Sequence, residues 1–135
     1  MTAPQARILV IDDDPDFREA MTAILESASY GVATACDATD GARKILSVRP
    51  DLILLDIMMD SLWDGYSLCH ALRTSKDFKD VRDTPVIFVS AVRTIAGSRF
   101  GFKGEDQGLT GPDDYIDKPV KPDELLARIK RILMK

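Results

Sequence analysis

Three short apolar runs, ILVI (8–11), LILL (52–55) and VIFV (86–89), each stop against a polar side chain: Asp12, Asp56 and Ser90. Runs so short and unbroken read as strands covered on both faces, as in a buried parallel sheet. Between them the apolar residues change period. Phe17, Ala20, Met21, Ile24, Leu25 and Ala28 form one stripe at steps of three and four, entered through an Asp-rich stretch with Pro15 near the first turn. Residues 39–48 predict a helix with Ala42, Ile45 and Leu46 inward, stopping before Pro50. Gly65 to about Thr74 predicts another, with Leu68 and Leu72 on one face. A last one follows Pro122 and presents Leu125, Leu126, Ile129, Ile132 and Leu133. YGVATA (30–35) and DYID (114–117) are weaker strands. Strand alternating with helix implies right-handed crossovers and a parallel sheet. The expected fold is α/β: a single doubly wound, five-stranded parallel sheet, in the order 2-1-3-4-5 by analogy with flavodoxin-like folds.

One region breaks this rhythm. Gly97, Gly101, Gly104, Gly108 and Gly111 crowd the stretch between Val92 and Asp113. Each glycine inside a helix costs about 1 kcal/mol relative to Ala, so an atypical Gly-rich segment is expected over 93–112 in place of a regular fourth helix. The spacing makes neither a dinucleotide nor a P-loop fingerprint. The segment reads as a surface loop, or as a docking segment anchored by Phe100 and Phe102.

Composition sets outer bounds. With 135 residues, 45% of them apolar, the chain suits one domain with one core. A net charge of −4 argues against a general nucleic-acid binder, so no direct nucleic-acid partner is expected. No apolar run approaches the roughly 18 residues of a membrane span, and the N-terminus lacks a signal-peptide pattern. A cytoplasmic location without membrane insertion is expected. Cys36 and Cys69 lack metal-ligand spacing and read as reduced core thiols.

Parallel strands would bring their C-terminal residues to one edge of the sheet, where open α/β sheets carry their ligands. Asp12, Asp13 and Asp14 follow the first strand, Asp56 the third, Ser90 the fourth and Lys118 the fifth. Crowded carboxylates repel, so either one keeps a proton or a cation neutralises them. Oxygen ligands at a partly open edge favour a hard ion, Mg²⁺ first. Asp12 and Asp13 are the metal candidates; Asp14 is better read as a helix-start residue. Lys118 precedes Pro119, which holds it extended and permits a cis peptide.

Together these residues resemble the receiver domain of bacterial response regulators. The carrying motifs are ILVIDDDPDF, PDLILLDIMM, the Asp64-Gly65 pair, TPVIFVSA and DDYIDKPVKPDELLARI, in order along residues 6–134. The resemblance implies one receiver domain, with no output domain in this chain. It implies Asp56 as phosphoacceptor and also a metal ligand, Asp13 as a direct Mg²⁺ ligand, Asp12 as an acid binding the ion through water, and the Met58 backbone carbonyl as a further ligand. It implies Ser90 and Lys118 as partners of the phosphoryl group, and Ser90 with Tyr115 as the switch, Tyr115 turning inward in the active state. The implied function is a phosphorylation-dependent signalling switch, not an enzyme in the ordinary sense: the chain would catalyse only its own phosphorylation and dephosphorylation. Implied partners are a sensor histidine kinase or phosphotransfer protein and a downstream protein target; a second copy of the chain is a further candidate.

The chain departs from the family pattern in three places. Asp60 stands where the family usually has Pro, the loop from Asp56 to Gly65 is one residue longer, and the Gly-rich segment replaces the usual fourth helix. Trp63 falls in that longer loop, and His70 on the helix after it reads as a surface or boundary residue. Three rivals share the pattern less well. An aspartyl-phosphate phosphatase usually needs an acid two residues after the nucleophile, where this chain has Met58. A flavodoxin-type FMN carrier would meet repulsion between phosphate and DDDPD. A pseudo-receiver that is never phosphorylated has no need of an intact Asp13, Asp56, Ser90 and Lys118 set.

Overall fold

A computed structural model of the chain describes residues 6–57, 64–90 and 112–134. Five strands, β1 (Arg7–Ile11), β2 (Gly31–Ala35), β3 (Leu52–Asp56), β4 (Val86–Ser90) and β5 (Asp114–Asp117), form one sheet in the order β2-β1-β3-β4-β5, every pair parallel. Among the described residues four helices accompany them: α1 (Pro15–Ser27), α2 (Ala38–Val48), α3 (Asp64–Thr74) and α4 (Pro122–Leu133). This is the flavodoxin-like fold that the alternation of periods implies.

Both faces of the sheet are covered, which is why its strands read as continuous apolar runs. Ile8, Val10, Leu52, Leu54, Ile87, Val89 and Ile116 pack against α1 and α4, which contribute Met21, Leu25, Leu125 and Ile129. Leu9, Ile11, Ile53, Leu55, Phe88 and Tyr115 pack on the other side, against Ile45 of α2 and Leu68, Cys69 and Leu72 of α3. Local chemistry sets the helix starts. Asp14 is the N-cap of α1 and accepts the Asp16 N–H, and Asp37 does the same for α2 with Asp40.

Two expectations about the core need correction. Leu46 is 42% exposed, because α2 turns Gly41 and Ile45 inward instead. Gly41 sits so close to Ile11 that a Cβ there would meet its Cδ1 at 2.7 Å, so α2 packs closely on β1 at this point. Cys36 is exposed and only Cys69 is a core thiol; β2 is an edge strand and Cys36 lies just past its end. One element is too short to leave a periodic signal: a 3₁₀ turn, Lys76–Phe78, which buries Phe78 with Val81 below the start of β4. The Gly-rich segment over 93–111, with Phe100 and Phe102, lies outside the described residues. Among the described residues, no helix is long and apolar enough to cross a membrane.

Candidate functional site

The sheet register decides which strand ends meet. Ile11 lies opposite Leu55 and Asp56 opposite Val89, so Asp12 and Asp56 stand level at the C-terminal edge. Ser90 is paired with Asp117 one step further, and the next residue, Lys118, donates its backbone N–H to the Ser90 carbonyl at 3.0 Å. Alternate residues of a strand share a face. Asp12, Asp56 and Lys118 therefore continue the line of Val10, Leu54 and Ile116, on the α1 side. Ser90 continues the line of Phe88, on the α3 side.

The outcome is a tight group of opposite charges. Asp12, Asp13 and Asp56 each bring one carboxylate oxygen within 4.8 Å of the others. Asp12 is fully buried and Asp56 is 5% exposed, while Asp13 faces solvent. Lys118 Nζ lies 3.0 Å from Asp12 Oδ2 and 3.8 Å from Asp56 Oδ2. A buried carboxylate needs a countercharge or hydrogen-bond donors, and Lys118 serves both acids. Among the described residues three carboxylates gather about one ammonium, and a donor set made only of oxygen suits a hard divalent cation.

The backbone holds this group in place. Asp12 Oδ1 accepts the Asp14 N–H at 2.9 Å, and its carbonyl oxygen accepts from Arg18 Nη1 at 2.8 Å. The Asp12 N–H donates to the Ala35 carbonyl at 3.1 Å, which ties β1 to β2 at the site. The Lys118–Pro119 peptide is cis. Beyond Asp56 the chain returns in α3, whose Gly65 packs directly on the backbone. A Cβ on Gly65 would come within 2.3 Å of the Asp56 carbonyl oxygen and 2.5 Å of Ile57 Cα.

Of the residues singled out in the sequence, Asp12, Asp13, Asp56 and Lys118 come together. Ser90 is fully buried at the end of β4 beside them. Tyr115 lies opposite Phe88 on β5, 8% exposed, its ring within the α2–α3 side of the core. Asp14 caps α1, and His70 is exposed on α3. Met58, Asp60 and Trp63 lie outside the described residues. Sequence reasoning missed Phe17 and Arg18 as parts of the site. Phe17 fits the apolar stripe of α1, yet its ring centroid is also 4.2 Å from Lys118 Nζ. Its place near the start of the helix that follows the acids is the one signal that could have found it.

The family model described as the response regulator receiver domain matches residues 8–130. The DNA-binding dual master transcriptional regulator RpaA of Synechocystis sp. is 36% identical over 127 residues, 94% of this chain and 48% of that protein. The DNA-binding response regulator MtrA of Mycolicibacterium smegmatis is 32% identical over 130 residues, 96% of this chain and 51% of that protein. Among solved structures, the receiver domain of a Francisella response regulator matches with a TM-score of 0.78 and 30% identity, over 96% of this chain and 98% of that one. A CheY-like response regulator receiver domain protein from Methanospirillum hungatei matches with a TM-score of 0.72 and 31% identity, over 94% and 92%. The chain thus spans about half the length of the curated relatives it matches. Their names overturn the expectation of no direct nucleic-acid partner. A net charge of −4 describes these 135 residues alone, and a surface that reads DNA can sit in the half of such a protein that this chain does not span.

Proposed function

This chain belongs to the response regulator receiver domain family, and we propose that Asp56 is its phosphoacceptor, taking a phosphoryl group from a phosphohistidine of a sensor kinase or phosphotransfer protein. One observation carries the reading. A nearly buried Asp56 shares its site with two further carboxylates within 4.8 Å and with the ammonium of Lys118. In the reaction an Asp56 carboxylate oxygen would form a bond to phosphorus. The P–N bond of the donor breaks, its electron pair returns to the imidazole, and an acyl phosphate results. Asp12, Asp13 and Asp56 would hold Mg²⁺, which when bound supplies positive charge against the equatorial phosphoryl oxygens. Lys118, whose Nζ lies 3.8 Å from Asp56 Oδ2, would supply the protein's own cation to a phosphoryl oxygen.

The switch reading rests on Ser90 and Tyr115. Ser90 is buried one residue beyond the level of Asp56, on the side of the sheet where Tyr115 packs. A phosphoryl group on Asp56 would draw the Ser90 hydroxyl toward it and bias the side chains next to Ser90. The Tyr115 ring is buried on that side, and phosphorylation would bias a two-state population toward this inward arrangement. By the relatives it resembles, the chain would be the signal-receiving half of a regulator that binds DNA, the phosphoryl state of one half governing the other.

The test is intact mass after incubation with acetyl phosphate and Mg²⁺. A single phosphoryl adduct is expected on the wild-type chain, abolished by chelator and missing from Asp56→Asn. An adduct that persists in Asp56→Asn would move the acceptor to another residue.

A further inference from the structure

We infer that Phe17 is a positioning residue for Lys118: its ring face holds the lysine ammonium over the site, between Asp12 and Asp56. The inference rests on the phosphoacceptor reading for its purpose but not for its geometry. Lys118 Nζ lies 4.2 Å from the Phe17 ring centroid, 3.0 Å from Asp12 Oδ2 and 3.8 Å from Asp56 Oδ2. The ammonium is thus held by two carboxylates and by the negative face of a ring.

A lysine has a long, freely rotating stem and a point charge at its end. Something must define where that charge stands, and Asp12 alone defines it poorly. Asp12 is also one of the three acids that could hold a divalent cation, so its attraction is divided between two positive charges. The hold of the ring is not divided. Nor does the ring accept a strong hydrogen bond, so the ammonium keeps N–H donors for an oxygen arriving on Asp56.

The position of Phe17 follows from the fold. Pro15 and the Asp14 cap start α1 directly after the acidic turn, and Phe17 is the third residue of that helix. It is half-buried and packs against the α1–α4 side of the core, the same side of the sheet from which Asp12, Asp56 and Lys118 project. A half-buried place on an apolar helix stripe calls for an apolar residue but not for a ring, and Leu is the better helix former. The aromatic face is what the core does not require.

This yields a set of variants in the full chain. Phe17→Leu keeps the apolar packing and removes the ring; Phe17→Trp keeps a stronger ring face. With acetyl phosphate and Mg²⁺, Phe17→Leu is expected to slow adduct formation on Asp56 by about two- to tenfold, and Phe17→Trp to retain a rate near wild type. In a Lys118→Ala background, Phe17→Leu should slow nothing further, because the ring then has no ammonium to hold. Equal slowing with and without Lys118, or a Trp variant as slow as Leu, would overturn the inference. A second readout needs no phosphorylation. In the NMR spectrum the Lys118 Hε protons should be shifted upfield by the ring and return to ordinary positions in Phe17→Leu. Ordinary shifts in the wild-type chain would sink the inference on their own. A wild-type chain that takes no adduct would instead overturn the phosphoacceptor reading, and the ring shift alone would then decide the role of Phe17.

Discussion

Lys118 Nζ stands 3.0 Å from Asp12 Oδ2 although the two are 106 positions apart in sequence. The ammonium offsets part of the repulsion among Asp12, Asp13 and Asp56, and it competes with any cation those acids could hold. Both effects point to one variant. In chelator, Lys118→Met is expected to lower stability by about 1–3 kcal/mol, since a buried carboxylate loses its countercharge. Added Mg²⁺ should then stabilise the variant more than it stabilises the wild type, because the competing charge is gone. Urea unfolding midpoints with and without Mg²⁺ measure both. A variant that gains less from Mg²⁺ than the wild type would show that Lys118 and the ion do not share these acids.

Gly65 and Gly41 make a second comparison. A Cβ on Gly65 meets main-chain atoms, the Asp56 oxygen at 2.3 Å and Ile57 Cα at 2.5 Å, whereas one on Gly41 meets the tip of the Ile11 side chain at 2.7 Å. Backbone cannot rotate away; a side-chain tip can. Gly65→Ala is expected to cost about 2–4 kcal/mol through overpacking. Gly41→Ala should cost less, since only side-chain atoms of Ile11 must shift and the roughly 1 kcal/mol helix preference of Ala over Gly offsets part of that cost. Urea unfolding of the two variants gives the ranking, and the reverse order would contradict it. Because the clash falls on Asp56 itself, Gly65→Ala should also slow adduct formation.

The three strong strands and the meeting of Asp12, Asp56 and Lys118 were legible because those apolar runs are continuous and end in polar residues, while the strand order rested on the likeness to flavodoxin-like folds. Parallel pairing then leaves little freedom. What was not legible depended on contacts that leave no mark in the sequence. Arg73 donates to the carbonyl oxygens of Arg82 and Thr84, and Asp113 accepts from both Arg73 and the Val86 N–H. Carbonyl acceptors are common to every residue, so nothing in the letters announces this clasp before β4. Leu46 had the right spacing to be buried, but α2 turns Gly41 and Ile45 inward and leaves it exposed. Phe17 obeyed the core period so well that its second contact, with Lys118, was hidden by the first.

Cys69 gives a pH dependence with a definite sign. Burial pushes its thiol up from 9.0 to about 11, because the thiolate is disfavoured inside the core. The folded protein therefore holds this proton where the unfolded chain releases it. The associated stability is fully present below about pH 9 and is lost as pH rises through about 11, a fall of about 2–3 kcal/mol. The wild type should lose stability relative to Cys69→Ala over that window, as read from urea unfolding at several pH values. A constant difference would show that the thiol is not shifted. In the native state iodoacetamide should label the exposed Cys36, with Cys69 labelled only after unfolding.

Ser90 and Tyr115 supply the last test, since the proposed switch needs them coupled while phosphoryl transfer does not. Ser90 is fully buried and Tyr115 nearly so, on the same side of β4 and β5. Truncating Ser90 to Ala removes only a hydroxyl, leaving the Asp56 carboxylate and Lys118 in place. Ser90→Ala is therefore expected to take the phosphoryl adduct, at a rate within about tenfold of wild type. The Tyr115 response should be lost. With fluorotyrosine incorporated, the chain carries three reporters, at Tyr30, Tyr66 and Tyr115, assigned by single Tyr→Phe changes. In the wild type, acetyl phosphate with Mg²⁺ should shift the Tyr115 resonance as the population moves toward one arrangement. In Ser90→Ala the adduct should form while that resonance stays where it was. An equal shift in both would mean that the signal reaches Tyr115 without the hydroxyl, through the backbone link by which Lys118 N–H meets the Ser90 carbonyl.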